Sequence, residues 1–391
     1  MSMNDTPVAN RLHISIFGKR NAGKSSLINA LTGQQTAIVS EVAGTTTDPV
    51  YKTMEMLPLG PVVIYDTAGI DDEGELGALR VEKSLAVLNK TDIAVYVYTD
   101  AMDANDMAAI DRIKERSLPL VIVRNKCDVY GNSVNEDEVS VSAQTGQGID
   151  ELKKRLCACL PQLSPQQPLI ADLIESGDNV VLVIPIDSAA PKGRIILPQQ
   201  QVLREAIENG AIVTCATEKS LQKALQSLSQ PPKLVVTDSQ AFETVAKIVP
   251  EDVYLTSFSI LMARFKGILT SAVHGARTLD TLQDGDTILI SEGCTHHRQC
   301  DDIGTVKLPR WIKQYTGKEL KFEFTSGGEF PKLLGGYKLI VHCGGCMLNE
   351  REVKYRYGSA QGQGIPMTNY GILIAYVNGI LERSIKCLDI K

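Results

Sequence analysis

The sequence predicts an α/β protein in three domains, each built on a parallel sheet. Three observations carry that reading. Short apolar runs alternate with helical patterns along most of the 391 residues, as expected of parallel strands buried on both faces. A glycine-bearing loop of phosphate-binding type follows the first strand and opens the first helix. The alternation then breaks at Pro161-Gln-Leu-Ser-Pro-Gln-Gln-Pro168, a stretch that neither helix nor strand tolerates well. The length independently favours two or three domains. The expected boundaries are 1–165, 166–266 and 267–391.

In the first domain, Leu12–Phe17 reads as a strand and Lys24–Leu31 as a helix. Val62–Tyr65, Ile93–Tyr98 and Leu120–Arg124 are further runs of strand length. The second domain carries strand patterns at Val180–Ile186, Ala211–Cys215, Lys233–Thr237 and Val253–Leu255. Helical patterns fall at Gln199–Asn209, Glu218–Leu228, Ser239–Ile248 and Ser257–Lys266. With no phosphate loop and no catalytic constellation, this domain is expected to be a structural or association module. The third begins near Gly267, with strands at Thr287–Ser291, Lys321–Phe324 and Lys338–His342. Helices are expected over Pro309–Thr316 and Tyr370–Asn378.

Gly18-Lys-Arg-Asn-Ala-Gly23-Lys24-Ser25 fits G-x-x-x-x-G-K-[ST] in full, between strand and helix. Its backbone N–H groups, Ala22 and Gly23 among them, can curl around phosphates at a helix N-terminus. Lys24 reaches the β- and γ-phosphates, Ser25 ligates Mg²⁺, and Ser26 follows in the first helical turn. Asp66-Thr-Ala-Gly69 ends the next apolar strand. Its aspartate can hold Mg²⁺ through water, and the Gly69 N–H can meet the γ-phosphate. Asn125-Lys126-Cys127-Asp128 follows a third strand. The Asp128 carboxylate matches the N1–H and 2-amino donors of guanine, which adenine lacks, so the site selects GTP. Ser142-Ala143 supplies backbone contacts to the base. Each tetrapeptide alone reads equally as a capped loop; four in order define a GTPase. Gly44-Thr-Thr-Thr-Asp48 lies where the first switch belongs. Ile70 stands where Ras-like enzymes carry a water-positioning glutamine. Slow hydrolysis is therefore expected, with the nucleotide as a switch.

Nine cysteines are present, five of them in the last third with four of the five histidines. An odd count in a long chain does not suggest a disulfide framework. Cys294-Thr-His296 is followed by His342-Cys343-Gly-Gly-Cys346. Two residues between thiolates let one tight turn aim both sulfurs at one centre. A zinc site on Cys294, His296, Cys343 and Cys346 and a four-iron cluster on the three cysteines both fit. Cys300 is a spare thiol, and Asp301-Asp302 are spare carboxylates. His13 and His274 read as ordinary residues, and Cys157, Cys159, Cys215 and Cys387 as small apolar ones.

The balance of 40 basic against 46 acidic residues offers no basic surface for nucleic acid or anionic lipid. The start MSMNDTPVAN lacks a signal-peptide pattern. Gly371–Leu381, the most apolar late stretch, is about half of a membrane span. The chain reads as cytoplasmic.

The first domain resembles the translation-factor-like GTPases related to Era and to the tRNA-modification GTPases. That resemblance makes Thr46 the residue that closes over Mg²⁺ and the γ-phosphate, and Asn21 the mark of a K⁺-activated member. Over essentially the whole chain, Gly44-Thr-Thr-Thr-Asp-Pro-Val-Tyr51, Cys294-Thr-His296 and His342-Cys-Gly-Gly-Cys346 resemble the HydF family of FeFe-hydrogenase maturation GTPases. The resemblance implies a 4Fe-4S cluster on Cys294, Cys343 and Cys346, with His296, His342 or a carboxylate as fourth ligand. It makes the middle domain a homodimerisation module and the last an iron–sulfur domain. It implies a scaffold that receives a di-iron precursor from radical-SAM maturases and delivers it to apo FeFe-hydrogenase. The competing expectation is a tRNA- or ribosome-associated GTPase with a zinc module.

Overall fold

A computed structural model describes residues 6–33, 50–69, 83–84, 86–132, 135–160, 167–186, 195–293, 302–328 and 330–388. The chain divides into two compact units, Met1–Pro165 and Gln166–Lys391. Among the described residues no helix is long and apolar enough to cross a membrane.

The first unit holds a six-stranded sheet in the order β2-β3-β1-β4-β5-β6. Its strands are β1 Leu12–Gly18, β2 Val50–Met56, β3 Gly60–Asp66, β4 Ile93–Tyr98, β5 Leu120–Arg124 and β6 Glu138–Ser140. All pairings are parallel except that of β2 with β3. In β4, Ile93, Val95 and Val97 pack with Leu27 and Ile28 of the helix Lys24–Thr32. Ala94, Tyr96 and Tyr98 pack with Ile110 and Ile113 of the helix Ala104–Lys114. Both faces are covered, so the central strands read as unbroken apolar runs. The sequence pattern did not reveal β2 or β6. β2 is an edge whose residues Tyr51–Glu55 alternate between exposed and half-buried, and β6 has only three residues.

The second unit holds two four-stranded sheets, ordered β10-β9-β7-β8 and β12-β11-β13-β14. The first comprises β7 Asn179–Val183, β8 Ile212–Ala216, β9 Leu234–Thr237 and β10 Tyr254–Ser257. The second comprises β11 Thr287–Ser291, β12 Lys321–Thr325, β13 Leu339–His342 and β14 Met367–Asn369. Every pairing in both is parallel. One apolar cluster runs through this unit, with Val181 and Leu255 of one sheet and Ile340 and Met367 of the other. The helix Leu269–Arg277 lies so close to β14 that a Cβ on Gly275 would sit 2.2 Å from the Met367 carbonyl oxygen. The polar helix Glu350–Gly362 and the three-residue β14 carry no strong apolar period and were not expected; the helix Leu269–Arg277 was also missed, although its buried Leu269, Ala272, Val273 and Ala276 recur at helical spacing. Cys215, read as a small apolar residue, is exposed; it belongs to β8, an outer strand of its sheet.

Candidate nucleotide and cysteine sites

The nucleotide elements gather at the C-terminal ends of β1, β3, β5 and β6, where an open parallel sheet binds ligands. At the end of β1, Gly18 has φ +145°, and a Cβ there would meet the Val97 carbonyl oxygen at 2.1 Å. Only glycine lets the chain turn so close to β4. Gly23, at φ +85°, caps the helix Lys24–Thr32, and a Cβ there would meet the Asn125 side chain at 2.4 Å. Lys24 is buried, and its ammonium donates to the carbonyls of Gly18 at 3.0 Å and Lys19 at 2.8 Å, spanning the loop. Ser25 Oγ donates to Asp66 Oδ2 at 2.5 Å. A hydroxyl and a carboxylate so placed fit a divalent cation held between them. Burial raises the Asp66 carboxyl, while the Ser25 bond and the Lys24 charge lower it. Ser26 is exposed, and Gly69 is buried beyond the end of β3.

Asn125 joins the two sides of the site. Its Nδ2 donates to the Ala22 carbonyl at 3.0 Å, and its Oδ1 accepts the Ala143 N–H at 3.1 Å. Lys126, at φ 62°, donates from Nζ to the carbonyl of Asn21 at 3.0 Å; Asn21 itself has φ 63°. Ser142 is fully buried and its Oγ accepts the Thr145 N–H at 3.1 Å, closing the base loop. Asp128 is exposed in the first turn of the short helix Cys127–Tyr130. Thr46 and Ile70 lie outside the described residues. One anchor was missed from the sequence. Lys19 pairs with Asp103 at 2.5 Å and with buried Asp106 at 2.7 Å, and Tyr96 also donates to Asp106 at 2.7 Å. These carboxylates cap the helix Ala104–Lys114, and the D-x-x-D spacing was its only trace in the sequence.

In the second unit, β11 and β13 are neighbours with Ser291 opposite His342. Their ends bring the residues before Cys294 beside the Cys343 turn. Cys343 Sγ accepts the N–H of Gly293 at 3.1 Å and of Gly345 at 3.4 Å. Burial pushes the Cys343 thiol up, and these two donors pull it back. Gly345 has φ 62°, and a Cβ there would press on Val353 at 3.2 Å. Cys294, His296, Cys300 and Asp301 lie outside the described residues. No group of three or more potential ligands assembles among the described residues.

His342 is buried with both ring nitrogens engaged. Nδ1 lies 2.7 Å from the Cys343 carbonyl and Nε2 lies 3.2 Å from Arg356 Nη1. An arginine only donates, so Nε2 accepts and Nδ1 carries the proton. Burial, reinforced by Arg356, pulls the imidazole down to about 3. As placed, His342 supports the turn from below and presents no lone pair to the cysteines, which corrects its reading as a fourth ligand. Arg356 is fully buried and also donates to Glu352 at 3.0 Å and to the Gly327 carbonyl at 3.1 Å. The Tyr357 hydroxyl is buried without a hydrogen-bond partner among the described residues, and an ionised Cys343 pushes its phenol up further than burial alone does. Lys266 is buried, and its ammonium donates to the carbonyls of Gly345 and, at 3.1 Å, Leu348. Burial lowers it to about 8, against the opposing pull of Cys346, Cys343 and Glu350. A sulfur that accepts two N–H bonds, an orphaned hydroxyl and two buried cations together suit an anionic thiolate-held group.

Comparison with known proteins divides the chain in the same order. Residues 13–126 match the family described as 50S ribosome-binding GTPase. Residues 169–267 match the hydrogen maturase F dimerization domain and 270–387 the hydrogen maturase F tetramerization domain. The tRNA modification GTPase MnmE of Endomicrobium trichonymphae is 38% identical over 154 residues, 36% of this chain and 34% of the relative. That of Xanthomonas euvesicatoria pv. vesicatoria (strain 85-10) is 40% identical over 154 residues, 38% of this chain and 33% of the relative. The chain thus spans about a third of the length of these curated relatives. Among solved structures, Era in complex with MgGDPNP and 16S ribosomal RNA nucleotides is 22% identical, with a TM-score of 0.34, covering 52% of this chain and 92% of that one. The G domain of T. maritima FeoB is 17% identical, with a TM-score of 0.32, covering 38% and 98%. The fold and the matched domains define a P-loop GTPase domain, with its GTP and Mg²⁺ site, followed by two self-association domains. This domain set is that of the hydrogen maturase F proteins, and the chain belongs to that family. The homodimer expected from the sequence is thereby joined by a second association domain, described as a tetramerization domain.

Proposed function

We propose that this chain is a hydrogenase-maturation GTPase in which the nucleotide site is a switch and the cysteine site holds the cargo-bearing cluster. The observation that carries the second half is the half-buried Cys343, whose sulfur already accepts two backbone N–H bonds beside the chain neighbour of Cys294. Lys24, Thr46 and Gly69 attend the γ-phosphate, Ser25 and Thr46 ligate Mg²⁺, Asp66 acts on it through water, and Asn21 takes an activating K⁺. Asn125, Lys126, Asp128, Ser142 and Ala143 hold the guanine. Cys294, Cys343 and Cys346 hold a 4Fe-4S cluster whose remaining iron is met by His296 or a carboxylate. Such a cluster supplies one exchangeable iron, to which a second metal unit can attach.

Hydrolysis is slow, since Ile70 cannot orient water, and GTP changes partner affinity rather than driving cluster chemistry. That requires the nucleotide to bind two arrangements of the chain unequally. The domains divide at 165/166 and 266/267, and the second is the dimer contact. The partners are radical-SAM maturases upstream and apo FeFe-hydrogenase downstream, in the cytoplasm, without nucleic acid or membrane. Activation of apo-hydrogenase by wild type and by Cys343→Ser tests this reading. Loss of activation in the variant is expected. Normal activation by Cys343→Ser would overturn it, as would equal hydrogenase affinity with and without GTP for the switch.

A further inference from the structure

We propose that Lys266 is a positioning residue for the cluster, tying the end of one helix to the cysteine turn and fixing a positive charge beneath Cys343 and Cys346. The proposal rests on the cluster reading above. Lys266 follows the helix Phe258–Phe265, and its own N–H bonds back to the Met262 carbonyl at 3.0 Å. From there its side chain runs inward until the residue is only 4% exposed. Lysine is almost never buried unless its charge is paired. The two acceptors at its ammonium are neutral carbonyls, those of Gly345 and Leu348. They satisfy hydrogen bonds and leave the charge uncompensated.

The groups that can carry opposite charge toward this ammonium are the Cys346 and Cys343 sulfurs, negative when they hold metal, and the Glu350 carboxylate. Glu350 is already paired with Lys354 at 2.5 Å. The compensating charge therefore falls to the sulfurs once they are thiolates. The attraction is mutual and strong in a poorly polarisable interior. Arg356 reaches the same turn from another direction, through His342 to the Cys343 carbonyl, but it has its own carboxylate in Glu352. Lys266 is thus the cation whose charge serves the cysteines.

Geometry gives it a second task. Its two acceptors flank Cys346, and the Leu348 N–H also bonds the Gly345 carbonyl at 3.0 Å. Holding both carbonyls fixes the turn that aims Cys346. Lys266 belongs to the segment matched as the dimerization domain, whereas the turn belongs to the tetramerization segment. The cysteine site is therefore completed by a residue outside the segment that carries its ligands.

A fixed cation favours the more negative, reduced form of a redox centre, so removing it lowers the potential. Full-length protein would be loaded anaerobically with iron and sulfide. The cluster potential would be read by redox titration with electron paramagnetic resonance, and retention by the rate of iron loss to a chelator. Lys266→Met is expected to lower the potential and release iron at least several-fold faster. Lys247→Met, at an exposed lysine that pairs with Glu243 away from the cysteine turn, should change neither. Lys266→Arg keeps the charge in a different shape, so it should hold the wild-type potential while losing iron faster. Unchanged potential and iron loss in loaded Lys266→Met would overturn the proposal, as would an equal shift in Lys247→Met. Should Lys266→Met not fold, a lowered potential in Lys266→Arg would overturn it alone. Wild type that takes up zinc and no sulfide would instead overturn the cluster reading, and this proposal with it.

Discussion

Replacing Asn125 with alanine separates the phosphate loop from the base loop at a residue of the guanine-binding set. The side chain is 2% exposed and makes one bond to each loop, to the Ala22 carbonyl and from the Ala143 N–H. A neutral hydrogen bond contributes about 1 kcal/mol net, and a buried group left unpaired costs up to about 3. Ala143 is half-buried and water can repair part of its loss; Ala22 is buried and cannot be repaired. Together these give about 2–3 kcal/mol. If the nucleotide-bound arrangement bears that cost, affinity falls about 30- to 150-fold, since 1.4 kcal/mol is tenfold. The bridge is indifferent to the γ-phosphate, so GDP and GTP should weaken alike. Fluorescent GDP and GTP titrations with magnesium and potassium measure this, with thermal unfolding to establish that the variant is folded. A folded Asn125→Ala that binds within about threefold of wild type, or that loses GTP but not GDP affinity, would refute the reasoning.

Three further outcomes follow from the same geometry. Asp128→Asn replaces an acceptor for guanine's 2-amino group with an amide, so xanthosine nucleotides, with a 2-oxo group, should compete better than guanosine ones; unchanged preference in a competition assay counts against the assigned role. Arg356→Met strands the Glu352 carboxylate, the Gly327 carbonyl and the His342 lone pair, so it should destabilise the second unit by about 3–5 kcal/mol, and Arg356→Met with Glu352→Gln by less, as denaturant titration would reveal. His13 is held at about 4 instead of 6.5, chiefly by burial, with Lys90 also lowering it and the Val8 bond opposing. The unfolded chain therefore takes up that proton first, and about 3 kcal/mol of stability, present in full above pH 6.5, is lost as pH falls towards 4. His13→Gln should flatten the fall in denaturant midpoint across that window; parallel curves would exclude it.

Much of the first unit was legible in the sequence because its central strands are buried on both faces and its ligand loops are fixed by chemistry. Ile93–Tyr98 and Leu120–Arg124 fall where the apolar runs placed them. The half-exposed edge β2 and the three-residue β6 and β14 lacked such runs. Sequence spacing pairs Cys294 with Cys343 and Cys346 as an expectation; Cys294 lies outside the described residues, and the neighbouring ends of β11 and β13 bring Gly293 beside the Cys343 turn. It could not show that His342 turns its nitrogens to Arg356 and the Cys343 carbonyl, because only the tertiary packing of the helix Glu350–Gly362 supplies the arginine. Lys266 escaped for the same reason. At the end of an apolar helix it reads as an ordinary basic residue, and its role depends on carbonyls about 80 residues away in sequence.

On this reading the cysteine turn holds an iron–sulfur cluster. Iron, acid-labile sulfide and zinc analysis of protein purified without oxygen tests it most directly. Wild type should carry about four iron and four sulfide per chain, with both depleted in Cys343→Ser. One zinc per chain without sulfide would contradict it.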